Sequence, residues 1–179
     1  MYPIALNLAE ISIALIGSQA AAEKRYNALI QHGAKKLQRF LAEKELPKIS
    51  ELQNFQMIFI VDIEADKAAS LAQELRKIGK LVNVEDQPED CDFYFASFFS
   101  HGDFGISVHT NGKSPALGSI LRDYLAKIFP EIWEERLHTI AKLRQKLRAE
   151  KFSHAKIRQE TENFIRANSW LPLPEREHA

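Results

Sequence analysis

The sequence predicts an α/β protein: a parallel sheet wound with helices, followed by a mixed region of strands and helices. Three observations lead there. Predominantly apolar runs at Ile11–Ile16 and Met57–Val61 read as buried strands, and Leu81–Glu85 reads as a third strand. Helical patterns over Ala20–Gln31 and Asp66–Ile78 separate those runs, which implies parallel crossovers. From Phe93 onward, two strand-like runs and then three helical patterns replace the alternation.

Taken in order, the strand at Ile11–Ile16 leads into the helix Ala20–Gln31, and Met57–Val61 leads into Asp66–Ile78 and then Leu81–Glu85. Segment 34–56 is rich in lysine and interrupted by Pro47; it accommodates one short strand and a helix, with the register open. Phe93–Phe99 and Phe104–Thr110, joined by the turn Ser100-His101-Gly102-Asp103, predict an antiparallel pair outside the parallel sheet. Apolar residues then recur at helical spacing in Pro115–Phe129, in Glu131–Ala149 and in His154–Asn168. A frayed tail is expected over Leu171–Ala179. This divides the chain at about residue 93, into 1–92 and 93–179.

Composition narrows the function. With 179 residues, 45% hydrophobic and 27% charged, the chain is a globular one that can bury one substantial core or two small ones. Lys plus Arg and Asp plus Glu balance at 24 each, so no global field recruits nucleic acid or an anionic membrane, and an anionic ligand must be held by local geometry. A single cysteine, Cys91, excludes an internal disulfide and a cysteine-cluster metal site, and fits a reducing compartment. The six histidines show no metal-binding spacing, so no preformed metal site is expected. Ile11–Ile16 followed by Ala20-Ala21-Ala22 mimics a signal peptide, but no Lys or Arg precedes it and Glu10 interrupts it; a buried strand and a cytoplasmic protein are expected. No apolar stretch is long enough to span a membrane.

Three segments carry candidate chemistry, each beside a plainer reading. Gly17-Ser18-Gln19-Ala20-Ala21-Ala22 follows the first strand and opens a helix, where a dinucleotide fold places its Gly-rich turn; the plainer reading is a strand–helix turn. The acidic residue that would hold a ribose is absent from the window that follows, which contains Lys35, Lys36 and Arg39. That basic window favours a 2′-phosphate, hence NADP, and is equally an exposed charged helix face. In Asn111-Gly112-Lys113-Ser114-Pro115-Ala116-Leu117, Ser114 suits an N-cap and Pro115 the first helical position. Free backbone N–H groups beside Lys113 would suit an acidic ligand, or simply start a capped helix. Asp86 lies just past the strand Leu81–Glu85, at the edge where parallel sheets bind ligands, and is also a natural turn residue near Pro88. The aromatic run Phe93, Tyr94, Phe95, Phe98 and Phe99 could wall a flat macrocycle, but aromatics alternating in strands more often serve a core or a dimer interface, and the interface is the reading favoured.

Read together and in order, Val82-Asn83-Val84-Glu85-Asp86-Gln87-Pro88-Glu89-Asp90-Cys91-Asp92-Phe93, Gly105-Ile106-Ser107-Val108-His109-Thr110 and the Asn111–Leu117 segment resemble the precorrin-2 dehydrogenase and sirohydrochlorin ferrochelatase family, also found as the N-terminal module of siroheme synthase. That family shows Asn-Val-x-Asp-x-Pro at a strand end, a nearby Cys-Asp-Phe and a Gly-Lys-Ser-Pro-Ala helix start. The resemblance spans roughly residues 1–130 and is densest over 79–125. It implies an abbreviated Rossmann-like parallel sheet, a dinucleotide-binding domain at 1–92 and a dimerisation and helical domain at 93–179. NAD or NADP would bind at Gly17, Ser18, Gln19, Ala20, Ala21 and Ala22, and a tetrapyrrole at Thr110, Asn111, Gly112, Lys113 and Ser114. Asp86 aligns with the family's catalytic aspartate.

The departures matter as much. The family has three glycines, then two residues and an alanine; this chain keeps Gly17 and Ala22 but carries Ser18 and Gln19 between them. Gln19 either blocks the close approach of backbone to pyrophosphate or donates its own amide to phosphate. His101 stands where the family more often has arginine, and His109 where it has a small hydroxyl residue, while Thr110 keeps the hydroxyl. Asn83 is expected to organise its strand end, Cys91 to pack, and Asp90 and Asp92 to be exposed loop charges.

The function expected from the resemblance is NAD(P)-dependent dehydrogenation of precorrin-2 to sirohydrochlorin in siroheme or cobalamin synthesis, by a homodimer. Chelation of Fe(II) or Co(II) as a further activity stays open, with Asp86 taking pyrrole protons or steering the metal. Two rivals remain: a non-redox tetrapyrrole-binding protein or chelatase with a degenerate dinucleotide site, and a purely structural dimer.

Overall fold

A computed structural model of the chain describes residues 2–42 and 45–173. They form two compact units: one runs to Phe95 and includes Asn111–Lys113, and the other comprises Ala96–Thr110 and the residues from Ser114 onward.

In the first unit, β1 (Ser12–Gly17), α1 (Gln19–Gln31), β2 (Lys36–Leu41), the short α2 (Ile49–Leu52), β3 (Met57–Val61), α3 (Ala65–Lys77) and β4 (Leu81–Val84) follow one another. The four strands make one parallel sheet in the order β2-β1-β3-β4. This is the helix-wound parallel sheet that the alternating pattern predicts, in the abbreviated Rossmann-like form that the family resemblance implies. Segment 34–56 resolves into β2 and α2, one short strand and one short helix.

The two central strands explain their own composition. Side chains alternate across a strand, so Ile13 and Leu15 face one layer while Ala14 and Ile16 face the other, and all four are fully buried. Ile13 and Leu15 pack with Ala22 and Leu29 of α1 and with Met57, Phe59 and Val61. Ala14 and Ile16 pack with Ala68, Leu71, Ala72 and Leu75 of α3 and with Ile58, Ile60, Val82 and Val84. The edge strand β2 instead carries Lys36 and Arg39, charges that discourage further strand pairing.

In the second unit, β5 (Ser97–His101) and β6 (Phe104–Val108) form an antiparallel hairpin, followed by α4 (Pro115–Ile128), α5 (Ile132–Ala149) and α6 (His154–Ala167). Phe104, Phe129 and Trp133 cluster with ring centroids 5.2–5.8 Å apart, and Trp133, Leu147 and Ile157 are buried. Both hairpin strands are shorter than the apolar runs suggest. The chain from Phe93 to Ala96 is not strand, because Phe93 and Phe95 pack on Phe59 of the sheet, with centroids 5.3 and 5.5 Å away. The turn also narrows to Gly102 and Asp103, since Ser100 and His101 pair with Gly105 and Phe104. Of the tail expected to fray, Leu171–Leu173 is described, and the carbonyl of Leu173 accepts a hydrogen bond from Arg166 Nη1 at 3.0 Å; the rest lies outside the described residues.

Candidate functional site

Three strand ends supply the first part of the site. Because β1, β3 and β4 run parallel, the residues that follow them share the carboxyl edge of the sheet. Gly17 closes β1 beside Val61 of β3, and a Cβ there would overlap the Val61 carbonyl oxygen and Cγ2. Glycine is therefore demanded by strand packing before any ligand is considered. Ser18 occupies the N-cap of α1 in extended backbone, yet its hydroxyl does not cap the helix; Oγ donates instead to a carboxylate oxygen of Asp62. Gln19 and Ala20 are exposed at the start of α1, whereas Ala22 is fully buried at the helix–sheet contact. The first intrahelical bond runs from Ala22 N–H to Ser18 oxygen at 2.9 Å, so the amides of Gln19, Ala20 and Ala21 have no intrahelical acceptor.

Asp62 was not legible as a site residue, although the edge rule that singles out Asp86 applies to it equally. It follows Val61 directly, with φ +52°. Asp tolerates that left-handed backbone better than most residues. The basic window lies elsewhere than expected: Lys36 and Arg39 sit within β2, ahead of its carboxyl end at Leu41, and are not on a helix face. Lys36 pairs with Glu10 at 3.3 Å, and Arg39 pairs with Glu23 at 3.6 Å while lying over the Tyr26 ring. They are thereby engaged in local pairs.

The end of β4 is held by a dense set of short-range bonds. Asp92 lines the outer edge of the strand: its N–H donates to Val82 oxygen at 2.8 Å and its Oδ2 accepts from Val82 N–H at 2.8 Å. Arg76 of α3 ties down Asp92 Oδ1 at 2.9 Å and Asp90 at 3.6 Å. Of the two expected to be exposed loop charges, Asp92 is exposed whereas Asp90 is half-buried, and both carboxylates are paired with Arg76. Asn83, buried, donates from Nδ2 to Phe93 oxygen at 2.9 Å. The Cys91 thiol bonds the Val84 carbonyl at 3.1 Å, and burial pushes its pKa up. The Cys-Asp-Phe motif is thus a clamp on the turn that carries Asp86.

Asp86 rides that turn with φ +60°, exposed, and its carboxylate makes no hydrogen bond or ion pair among the described residues. Its neighbour Glu85 is instead paired with Arg25 of α1 at 3.2 Å, and Arg25 also lies over the Phe95 ring at 4.6 Å. One acid at this edge is neutralised and the next is left available.

The last segment behaves as its residues predict. Asn111 and Gly112 both have positive φ, +50° and +75°, and glycine suits the second of them. Ser114 Oγ accepts from Leu117 N–H at 3.2 Å, capping α4 with Pro115 in the first turn. Thr110 Oγ1 donates to the Ser114 carbonyl at 3.2 Å and receives the Ser114 N–H at 3.4 Å, so its hydroxyl is used to close the loop. Lys113 is exposed at the tip. His101 is half-buried, and its Nε2 lies 3.1 Å from the Phe129 carbonyl at the end of α4. His109 is exposed, with Ser107 Oγ 3.5 Å away.

Among the described residues, no three His, Cys, Asp or Glu side chains are grouped so as to hold a metal ion. No described helix is long and apolar enough to cross a membrane. The uncapped amides at the start of α1 fit the phosphates of a dinucleotide, and Ala22 fits the close helix–sheet contact of such folds.

Comparison with known proteins agrees. The chain is 36% identical over 106 residues to the siroheme biosynthesis protein met8 of Schizosaccharomyces pombe, covering 57% of this chain and 38% of that protein. It is 33% identical over 98 residues to the siroheme synthase of Nitrosomonas europaea, covering 55% of this chain and 20% of that protein. The chain thus spans well under half the length of these relatives. The fold matches that of SirC, precorrin-2 dehydrogenase, with a TM-score of 0.64 at 18% identity, over 92% of this chain and 89% of that one. A family described as "Putative NAD(P)-binding" matches residues 4–97, the whole parallel sheet with its Gly17–Ala22 turn, and the chain belongs to that NAD(P)-binding family.

Proposed function

We propose that the chain is a precorrin-2 dehydrogenase, oxidising precorrin-2 to sirohydrochlorin in siroheme or cobalamin synthesis, and that it works as a homodimer in the cytoplasm. The observation that carries this reading is Asp86: a solvent-facing carboxylate without a partner among the described residues, clamped in a left-handed turn at the carboxyl edge of the sheet. Similarity to siroheme biosynthesis proteins and a fold shared with a precorrin-2 dehydrogenase support the substrate class.

NAD(P), when bound, supplies the hydride acceptor. The start of α1 holds its phosphates through the amides of Gln19, Ala20 and Ala21. Asp86 takes the proton that the substrate loses as the hydride leaves, so one two-electron oxidation yields one proton on a carboxylate. Lys113 holds a carboxylate side chain of the tetrapyrrole. Ser114 and Thr110 serve by shaping the loop that presents Lys113. In a further, chelating activity Fe(II) or Co(II) is a second substrate, and Asp86 receives the pyrrole protons that the metal displaces.

The dimer is supported by α4, which leaves Leu117, Ile120, Leu121, Tyr124 and Ile128 exposed at helical spacing. The thiol of Cys91 fits the cytoplasm. A non-redox tetrapyrrole binder is the second reading, favoured by Gln19 in place of a glycine. The test is an anaerobic absorbance assay of enzymatically made precorrin-2 with NAD or NADP, repeated with ferrous and cobaltous ion. Asp86→Asn is expected to lower turnover at least about a hundredfold with dinucleotide affinity nearly unchanged. Natural turnover by that variant would end the assignment. Tetrapyrrole binding without turnover by either protein would favour the second reading.

A further inference from the structure

Ser18 and Asp62 come together from 44 residues apart, at the point where a Rossmann-like domain receives its pyrophosphate. An N-cap serine ordinarily turns its hydroxyl onto the first amides of its helix. Here the hydroxyl of Ser18 is donated away from α1, and what it holds beside the helix start is a carboxylate. The placement follows from the sheet: Gly17 and Val61 are register partners, so the residues after them, Ser18 and Asp62, emerge side by side. The packing of Gly17 against Val61, which leaves no room for a Cβ, keeps the two strand ends at that distance.

We propose that Asp62 is an affinity-setting residue for the dinucleotide, a negative charge of the chain's own that stands against the pyrophosphate at the start of α1. The helix N-terminus attracts either anion through the same amides and the same dipole. Like charges within a few ångströms repel, so a pyrophosphate enters only by pushing the Asp62 carboxylate off Ser18 or by tolerating it. Either route weakens binding. Gln19 adds side-chain bulk at the same turn, so both residues act in one direction. The inference rests on membership of the NAD(P)-binding family and not on the identity of the tetrapyrrole.

Asp62→Asn removes the charge, keeps the side-chain size and retains a residue type that accepts positive φ. Titration calorimetry of the natural chain, Asp62→Asn and Asp62→Glu with NAD and with inorganic pyrophosphate tests the idea, with thermal unfolding checking that each variant is folded. Asp62→Asn is expected to tighten both probes at least about tenfold, and Asp62→Glu to stay within about threefold of the natural chain. If Asp62→Asn does not fold, Asp62→Ser in the same titrations carries the same expectation. Unchanged or weaker binding by the neutral variant would overturn the proposal, weaker binding showing that Asp62 accepts a hydrogen bond from the ligand. Tightening of NAD without pyrophosphate, or no binding of either probe by any variant, would overturn it too. Precorrin-2 turnover plays no part in the readout, so the two readings fail separately.

Discussion

The side-chain amide of Asn83, inside β4, donates to the carbonyl oxygen of Phe93 at 2.9 Å, closing the ten-residue excursion that carries Asp86. Asn83 is 7% exposed, so the bond is made where water cannot replace it. Without it the return of the chain from Asp86 to the sheet loses its central tie. Asn83→Leu is expected to destabilise the protein by about 1–3 kcal/mol, because the Phe93 carbonyl is left without its donor. Urea unfolding checks this, and a loss below about half a kcal/mol would show that the loop finds another donor.

Gln19→Gly should tighten dinucleotide binding. The residue is exposed in the first turn of α1, so the change removes side-chain bulk from the approach to three free amides without disturbing the core. Calorimetric titration of both proteins with NAD and NADP is the check. Equal affinities, or tighter binding by the natural chain, would make Gln19 a ligand contact.

Ile120→Glu should convert the proposed dimer to a monomer that remains folded. Ile120 is 65% exposed and Tyr124 61%, so neither holds up the core of its own unit. A charge in the middle of that face would be buried unpaired in an interface. Light scattering at micromolar concentration reads the mass. A dimer that survives Ile120→Glu, or a natural chain that is already monomeric, would remove α4 from the interface.

Cys91 should make stability fall in alkali. Burial raises its pKa, and the Asp92 and Asp90 carboxylates add to this against the opposing Val84 hydrogen bond and Arg76. The unfolded thiol ionises first, near its ordinary value of 9.0, while the folded one keeps its proton. The unfolded state then binds fewer protons, so stability present below that pH is lost as pH rises through the folded value. Urea midpoints of the natural chain and Cys91→Ala between about pH 7.5 and pH 10 should diverge at the alkaline end, the natural chain losing more. A constant difference would show that the thiol ionises alike in both states.

What could be read from the sequence and what could not divide along the range of the forces involved. The runs Ile11–Ile16 and Met57–Val61 announce strands buried on both faces, and the helices between them impose the parallel sheet, because side-chain burial and chain crossover are written in local periodicity. The Ser114 cap is equally local, and the structure confirms its bond to Leu117. Composition and spacing could not say which core an aromatic residue joins: Phe93 and Phe95 look like strand residues of the hairpin, yet Phe59 draws them onto the first sheet. Nor could they show that Asp90 and Asp92 are held by Arg76 or that Arg25 neutralises Glu85, since those partners come from other elements. The sharpest case is the start of α1. The sequence by itself determined that Gly17 ends a strand and that a helix begins beyond it. Only the tertiary structure decided that the neighbouring strand end delivers Asp62 to Ser18, because a hydrogen bond between residues 44 apart depends on the register of two parallel strands, which no local pattern encodes.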